Sequence, residues 1–129
     1  MKNLFSVSGK VALVTGGSRG IGLMIARGLV ENGVKTYISS RSDSTCNTVA
    51  EELSSFGECI PLPADLSDSN EVSRLADEII KRESKLHILI NNAGAAWGAK
   101  IGEVPEIGWD KVMDLNAKSL FFLTQALLK

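Results

Sequence analysis

The sequence is poor in the residues that build disulfide scaffolds and metal sites. Its 129 residues include two cysteines, three prolines and one histidine, and aromatic residues make up only 5% of the chain. Cys46 and Cys59 form neither a metal-ligand spacing nor a Cys-x-x-Cys motif. The sequence therefore predicts reduced thiols, no metal and a cytoplasmic location.

An excess of one charge and a long apolar run are also lacking. Fourteen Lys and Arg residues balance 15 Asp and Glu residues, so no basic surface points to nucleic acid or to an anionic membrane. No apolar run approaches the roughly 18 residues of a membrane-spanning helix. The segment Met1–Ser6 lacks the apolar core of a signal peptide. We expect a soluble domain with no nucleic-acid or membrane partner.

Short apolar runs alternate with amphipathic stretches of helical length. The apolar runs are Val11–Val14, Val34–Ile38, Cys59–Leu62 and Leu86–Ile90. Strands that are apolar at nearly every position are buried on both faces, as in a parallel sheet covered by helices. The order βαβαβαβ predicts the α/β class, as one doubly wound, Rossmann-type parallel sheet that is truncated after about four strands. Residues 1–129 then form a single, incomplete domain.

Several residues indicate where the helices begin and end. Gly33 and Gly57 are placed as C-caps of the first two helices. Asp68 or Ser69 is placed as the N-cap of the third. Pro105 predicts a helix that begins near Glu106 and continues to the end of the chain.

A glycine-rich turn joins the first apolar run to the first helical pattern. Glycines allow positive φ angles and let a pyrophosphate approach bare backbone at a helix N-terminus, and a last glycine lets the helix pack closely on the strand. The turn predicts phosphate binding, with a purely structural turn as the alternative. Its candidate cofactor-binding residues are Gly16, Ser18, Arg19, Gly20, Ile21 and Gly22.

The residues after the second strand address the choice of dinucleotide. Ligands of open parallel sheets lie outside the carboxyl ends of the strands, and NAD-selective domains place an acid after the second strand. Here Ser40 and Arg41 follow it, and a guanidinium can bind a 2′-phosphate. Arg19 would supply a second cation, which favours NADP. Asp43 could instead bind the ribose, so NAD stays possible as the cofactor. Alternatively, both arginines are solvated surface charges without a role in binding.

The other two strand ends carry polar and small residues. Asp65 is placed to accept a hydrogen bond from the adenine amino group while Leu66 packs on the ring, or both belong to a turn before a capped helix. The segment Asn91-Asn92-Ala93-Gly94 follows the fourth run. Its small residues predict contact with a ribose or nicotinamide, and its amides can tie loops together; an Asx turn is the alternative.

With these motifs in order along the whole chain, the sequence resembles the classical short-chain dehydrogenase/reductase family. The stretch Thr15–Gly22 resembles the cofactor turn of that family, Asp65-Leu66 its adenine-side acid and Asn91–Gly94 its sheet-stabilising motif. Asn116 matches a catalytic helix asparagine that takes part in a proton relay through water. Asn91–Gly94 followed by Trp97-Gly98 is similar to NADPH-dependent 3-oxoacyl-[acyl-carrier-protein] reductases, including the rhamnolipid-synthesis type.

The sequence also departs from the pattern of this family. The resemblance implies a catalytic serine, and a tyrosine followed four residues later by a lysine. The one tyrosine, Tyr37, is followed at that distance by Arg41, and the chain ends at Lys129. The resemblance therefore implies the amino-terminal, cofactor-binding part of an NADP-dependent oxidoreductase. That enzyme would act on a small carbonyl or alcohol, its full-length form would be a homo-oligomer, and the chain alone would be inactive.

Two other classes of function stay open on the sequence alone. One is a nucleotide-binding module without catalysis, such as a truncated paralogue, and the other is a fold relic that binds nothing. His87, Trp97 and Trp109 are interpreted as packing residues, although Trp97 could line the mouth of a substrate site.

Overall fold

The computed structural model describes residues 3–129 and contains one four-stranded parallel sheet. The strands are β1 Val11–Thr15, β2 Lys35–Ser39, β3 Cys59–Pro61 and β4 Ile88–Ile90, in the spatial order β3-β2-β1-β4. The predicted parallel, doubly wound sheet is confirmed. None of the helices in the described range has the length and apolar character needed to cross a membrane.

Helices cover both faces of the sheet. On one face lie α1 Gly20–Glu31 and α2 Asp43–Leu53. On the other lie α3 Ser69–Arg82, a π-helix Asp114–Ser119 and α5 Leu120–Leu127. The helix α4 Glu106–Met113 leads directly into the π-helix. The π-helix interrupts the single final helix that the sequence predicts.

Successive strand residues point to opposite faces, and this alternation divides the apolar core into two layers. Leu13 and Tyr37 lie in the layer under α3 and α5, whereas Val14 and Ile38 lie in the layer under α1 and α2. Both layers are nearly inaccessible to water. Burial on both sides explains why most strand residues in β1 and β4 are apolar, although the core also buries the polar residues Thr15, Thr36 and Ser39.

The helix ends agree with the sequence at three places and differ at one. Gly33 takes φ +80° just after α1, the Asp68 carboxylate accepts a hydrogen bond from the Asn70 N–H at 2.9 Å, and Pro105 precedes α4. The expectation that Gly57 ends α2 is wrong, because α2 ends at Leu53. Gly57 instead allows close packing, since a Cβ there would lie 2.7 Å from the Val30 carbonyl oxygen.

His87 lies just before β4 rather than within it. Its backbone N–H donates to the Val11 carbonyl oxygen, and its Nδ1 accepts from the Val11 N–H, both at 3.0 Å. The imidazole therefore takes the place of a backbone acceptor where β1 and β4 begin to pair, which is a structural role.

Candidate functional site

The glycine turn connects β1 to α1 at the carboxyl edge of the sheet. Gly16 and Gly20 have φ angles of +63° and +58°, a conformation that other residues rarely adopt. A Cβ on Gly22 would collide with the Gly16 carbonyl oxygen and lie 2.8 Å from its carbon. The first turn of α1 therefore begins directly against the loop. Ser18 is buried in the turn, whereas Arg19, Gly20 and Ile21 are exposed.

The N-terminus of α1 differs from those of α2 and α3. Ser42 caps α2 by accepting from the Thr45 N–H at 3.3 Å, and Asp68 caps α3. Arg19 occupies the capping position of α1, its side chain makes no capping hydrogen bond, and the first turn has no acidic residue. The partial positive charge of this helix end is therefore not compensated locally, which favours binding of an anion. The sequence signal for this uncapped helix end is an arginine at a position where Ser, Thr or Asp is usual, and it was not used in the sequence analysis.

Two arginines follow strands at this edge of the sheet: Arg19 precedes α1, and Arg41 lies two residues beyond β2. Arg19 and Arg41 are both exposed, and neither forms an ion pair with any residue in the range 3–129. Ser40 is half-buried at the end of β2. Asp43 is the first residue of α2, where a carboxylate is stabilised by the helix dipole, so its position has a structural explanation.

The hydroxyl of Thr15 connects the glycine turn to the segment after β4. Thr15 Oγ1 accepts from the Asn92 N–H at 3.0 Å and from the Ala93 N–H at 3.1 Å, and donates to the Ile90 carbonyl at 3.3 Å. The Asn92 side chain donates to the Gly16 carbonyl at 3.1 Å. The structure thus brings these two motifs together, as expected for amides that tie loops. Thr15 was included in the cofactor-turn stretch but received no role of its own in the sequence analysis; the signal for that role is a hydroxyl at the last position of an apolar strand.

Asn116 lies in the π-helix and holds the loop that follows Gly94. Its Oδ1 accepts from the Ala95 N–H at 2.7 Å, and its Nδ2 donates to the Ala95 carbonyl at 2.8 Å. A Cβ on Gly94 would lie 3.3 Å from Asn116 Oδ1, so the backbone runs close to this amide. Short π-helices occur frequently at functional sites. The π-helix has no clear sequence signal, and the proton-relay role of Asn116 stays a prediction.

The segment Asp65-Leu66 is placed differently from the expectation. Asp65 lies beyond β3, which ends at Pro61, so it does not end a strand. Its Oδ1 accepts from the Ser67 N–H at 3.1 Å and from the Ser67 hydroxyl at 2.6 Å, which is the turn that the sequence left as an alternative. Leu66 is only 5% exposed and packs in the core, so its side chain is not available to stack on an adenine ring.

Tyr37 is held away from the carboxyl edge and is unsuited to acid/base chemistry. Its hydroxyl donates to Glu83, which also pairs with Lys35 at 2.7 Å. Burial, and then the bond to Glu83, raises the pKa of Tyr37 to about 12. Burial likewise raises the pKa of the Cys59 thiol to about 11. These groups are protonated at neutral pH, and their roles are structural.

Comparison with known proteins identifies the family of this chain. The family model described as short chain dehydrogenase matches residues 10–129. The chain therefore belongs to the short-chain dehydrogenase family. Among curated relatives, the rhamnolipid-biosynthesis 3-oxoacyl-[acyl-carrier-protein] reductase of Pseudomonas aeruginosa is 48% identical over 128 residues, which is 99% of this chain and 50% of that protein. The L-rhamnose 1-dehydrogenase (NADP(+)) of Thermoplasma acidophilum is 37% identical over 128 residues, which is 98% of this chain and 50% of that protein.

A solved structure, the Pseudomonas aeruginosa RhlG/NADP active-site complex, superposes with a TM-score of 0.93 at 48% identity, covering 99% of this chain and 50% of that one. The chain spans about half the length of the curated relatives named above.

Proposed function

We propose that the carboxyl edge of this sheet binds NADP as the cofactor of an oxidoreductase. The observation that carries the proposal is the N-terminus of α1, which begins at a glycine turn and has no capping side chain. Arg19 precedes this helix and Arg41 follows the neighbouring strand β2, and neither forms an ion pair in the described range. Backbone N–H groups there match a pyrophosphate, and guanidinium groups match an additional 2′-phosphate.

Each predicted site residue then has a role in the proposed cleft. Residues of the glycine turn, including Ser18, bind the pyrophosphate together with Ile21 at the start of α1. Ser40, Arg41 and Arg19 surround the 2′-phosphate. The adenine lies near Asp65 and the backbone of Leu66, and the nicotinamide end lies along Asn92, Ala93 and Gly94.

The bound cofactor would supply hydride transfer to or from the carbon of a small carbonyl or alcohol. This chain contributes the cofactor cleft, and Asn116 would hold a water of the proton relay. The tyrosine and lysine that the family uses as acid and base are absent from the 129 residues, so the chain alone is expected to be inactive. The Pseudomonas aeruginosa relative supports a 3-oxoacyl reductase-like substrate, and we propose a cytoplasmic homo-oligomer for the whole enzyme.

The test is calorimetric titration of the chain with NADPH and with NADH. We expect tighter binding of NADPH, and we expect Arg41→Asp to lower the NADPH preference at least tenfold. A charge-assisted hydrogen bond contributes about 1.5–3 kcal/mol, and about 1.4 kcal/mol corresponds to a factor of ten. Lys85→Asp is the matched control, because this exposed cation precedes β4 and therefore lies at the amino ends of the strands, away from the proposed cleft.

The titration also separates the alternatives. Equal affinity of the parent chain for both nucleotides, or an unchanged preference in Arg41→Asp, would remove the arginine from the cofactor argument. No heat with either nucleotide would contradict the proposed cleft and favour a relic of the fold. Binding in a whole protein that shows no turnover would favour a nucleotide-binding module.

A further inference from the structure

A glycine in α4 has a structural explanation that involves the loop after β4. Glycine destabilises a helix relative to alanine, yet Gly108 lies in the first turns of α4. A Cβ on Gly108 would lie 2.7 Å from Cδ2 of Trp97 and 2.8 Å from Cδ1 and Cε2. The indole therefore rests directly on the Gly108 backbone, at a position that no larger residue could occupy without displacing the ring.

Burial and charge identify this contact as a specific one. Gly108 is buried, whereas its neighbours Ile107 and Trp109 are exposed. The ammonium group of Lys111, one turn further along, lies 5.7 Å from the centre of the Trp97 ring, within the range of a cation–π interaction. The indole is thus held against one face of α4 by the helix backbone and by a lysine.

A second attachment lies two residues earlier in the same loop. Residues 91–100 have no regular secondary structure, and Ala95 forms two hydrogen bonds with the Asn116 side chain. The loop is therefore fixed to the α4 and π-helix segment at Ala95 and again at Trp97. Gly94, which precedes both attachments, lies next to Asn116.

We propose that Trp97 is a positioning residue, and that its packing on Gly108 fixes the Gly94–Ala95 backbone at the nicotinamide end of the cleft. This inference rests on the proposed function for the assignment of that end. It predicts that loss of the Trp97–Gly108 contact weakens binding of the nicotinamide half of the cofactor. Binding of the adenosine half should not change, because the adenosine side is built from α1, β2 and the turn after β3.

The test compares two ligands on the same chain by calorimetry, NADPH and adenosine 2′,5′-bisphosphate, which lacks the nicotinamide half. We expect Trp97→Ala and Gly108→Ala each to weaken NADPH binding about tenfold and to leave bisphosphate binding within a factor of two. In the Trp97→Ala background, Gly108→Ala should not weaken NADPH binding further. Trp109→Ala, which removes an exposed tryptophan from the same helix, is the control and should change neither affinity.

A second measurement needs no nucleotide. The Ala95 N–H donates to Asn116, so its hydrogen exchange reports the order of the loop. We expect at least tenfold faster exchange in Trp97→Ala and no change in Trp109→Ala. Unchanged Ala95 exchange, equal weakening of both ligands, or unchanged NADPH affinity would each overturn the inference. If the parent chain binds neither nucleotide, the proposed function fails, and Ala95 exchange alone decides whether Trp97 positions the loop.

Discussion

Two glycines of the same helix provide a sharp test of the close approach at the cofactor turn. Gly22 and Gly28 both lie in α1, and alanine has the higher helix propensity at either position. A Cβ on Gly28 would meet nothing within 4 Å. A Cβ on Gly22 would collide with the Gly16 carbonyl oxygen and with the side-chain amide of Asn92. We therefore expect Gly28→Ala and Gly22→Ala to change stability in opposite directions.

The expected magnitudes follow from the contacts at each position. For Gly28→Ala, the gain in helix propensity increases the free energy of unfolding by about 1 kcal/mol. For Gly22→Ala, backbone atoms must move, which costs about 1–3 kcal/mol for an overpacked site. The Asn92–Gly16 hydrogen bond is also lost, at about 1 kcal/mol. After subtraction of the propensity gain, Gly22→Ala should reduce the free energy of unfolding by roughly 2 kcal/mol.

Urea denaturation followed by circular dichroism at low protein concentration measures both variants against the parent. NADPH titration of the same samples adds a functional readout. Gly22→Ala should weaken binding, since the turn must shift, and Gly28→Ala should bind as the parent does. If the urea midpoint of Gly22→Ala equals or exceeds that of the parent, the close contact between the turn, the helix and Asn92 is refuted.

Two further predictions concern stability and association. Because the pKa of Tyr37 is about 12, the folded state keeps a proton that the unfolded chain releases near pH 10, so stability should fall as pH rises from about 10 to 12. The pH dependence of the urea midpoint in this range should be weaker in Tyr37→Phe, and an identical dependence would contradict the assignment. In the described part of the chain β4 lies at the edge of the sheet, and Phe121 and Phe122 are exposed. We expect concentration-dependent association, reduced by Phe121→Glu, in light scattering; a monomer at every concentration would contradict this expectation.

The sequence was most informative where local physics decides the structure. The apolar runs predicted the four strands of the described range, because a strand covered on both faces buries most of its side chains. Asp68 and Pro105 predicted the starts of two helices, because capping depends on a few neighbouring residues. The strand bounds differed by one or two residues. For example, β1 and β2 each end one residue beyond the apolar run, at Thr15 and Ser39, since backbone pairing does not require an apolar side chain.

The sequence was less informative where a residue serves two distant parts of the chain. Gly57 has the pattern of a helix C-cap, but the Val30 carbonyl determines that position. Leu66 resembles a ring-stacking residue, but it completes the core. The linking role of Thr15 was not foreseen, because its three hydrogen bonds all involve residues after β3, far away in the sequence.

By itself, the sequence determined the alternation of strands and helices, the glycine turn and the family, because these depend on side-chain periodicity and on backbone freedom. Only the tertiary structure decided that α1 begins without a cap, that Asn116 holds Ala95 within a π-helix, and that Trp97 rests on Gly108. These features arise from contacts between segments that are distant in sequence, and such contacts are fixed only when the sheet brings its strand ends to one edge.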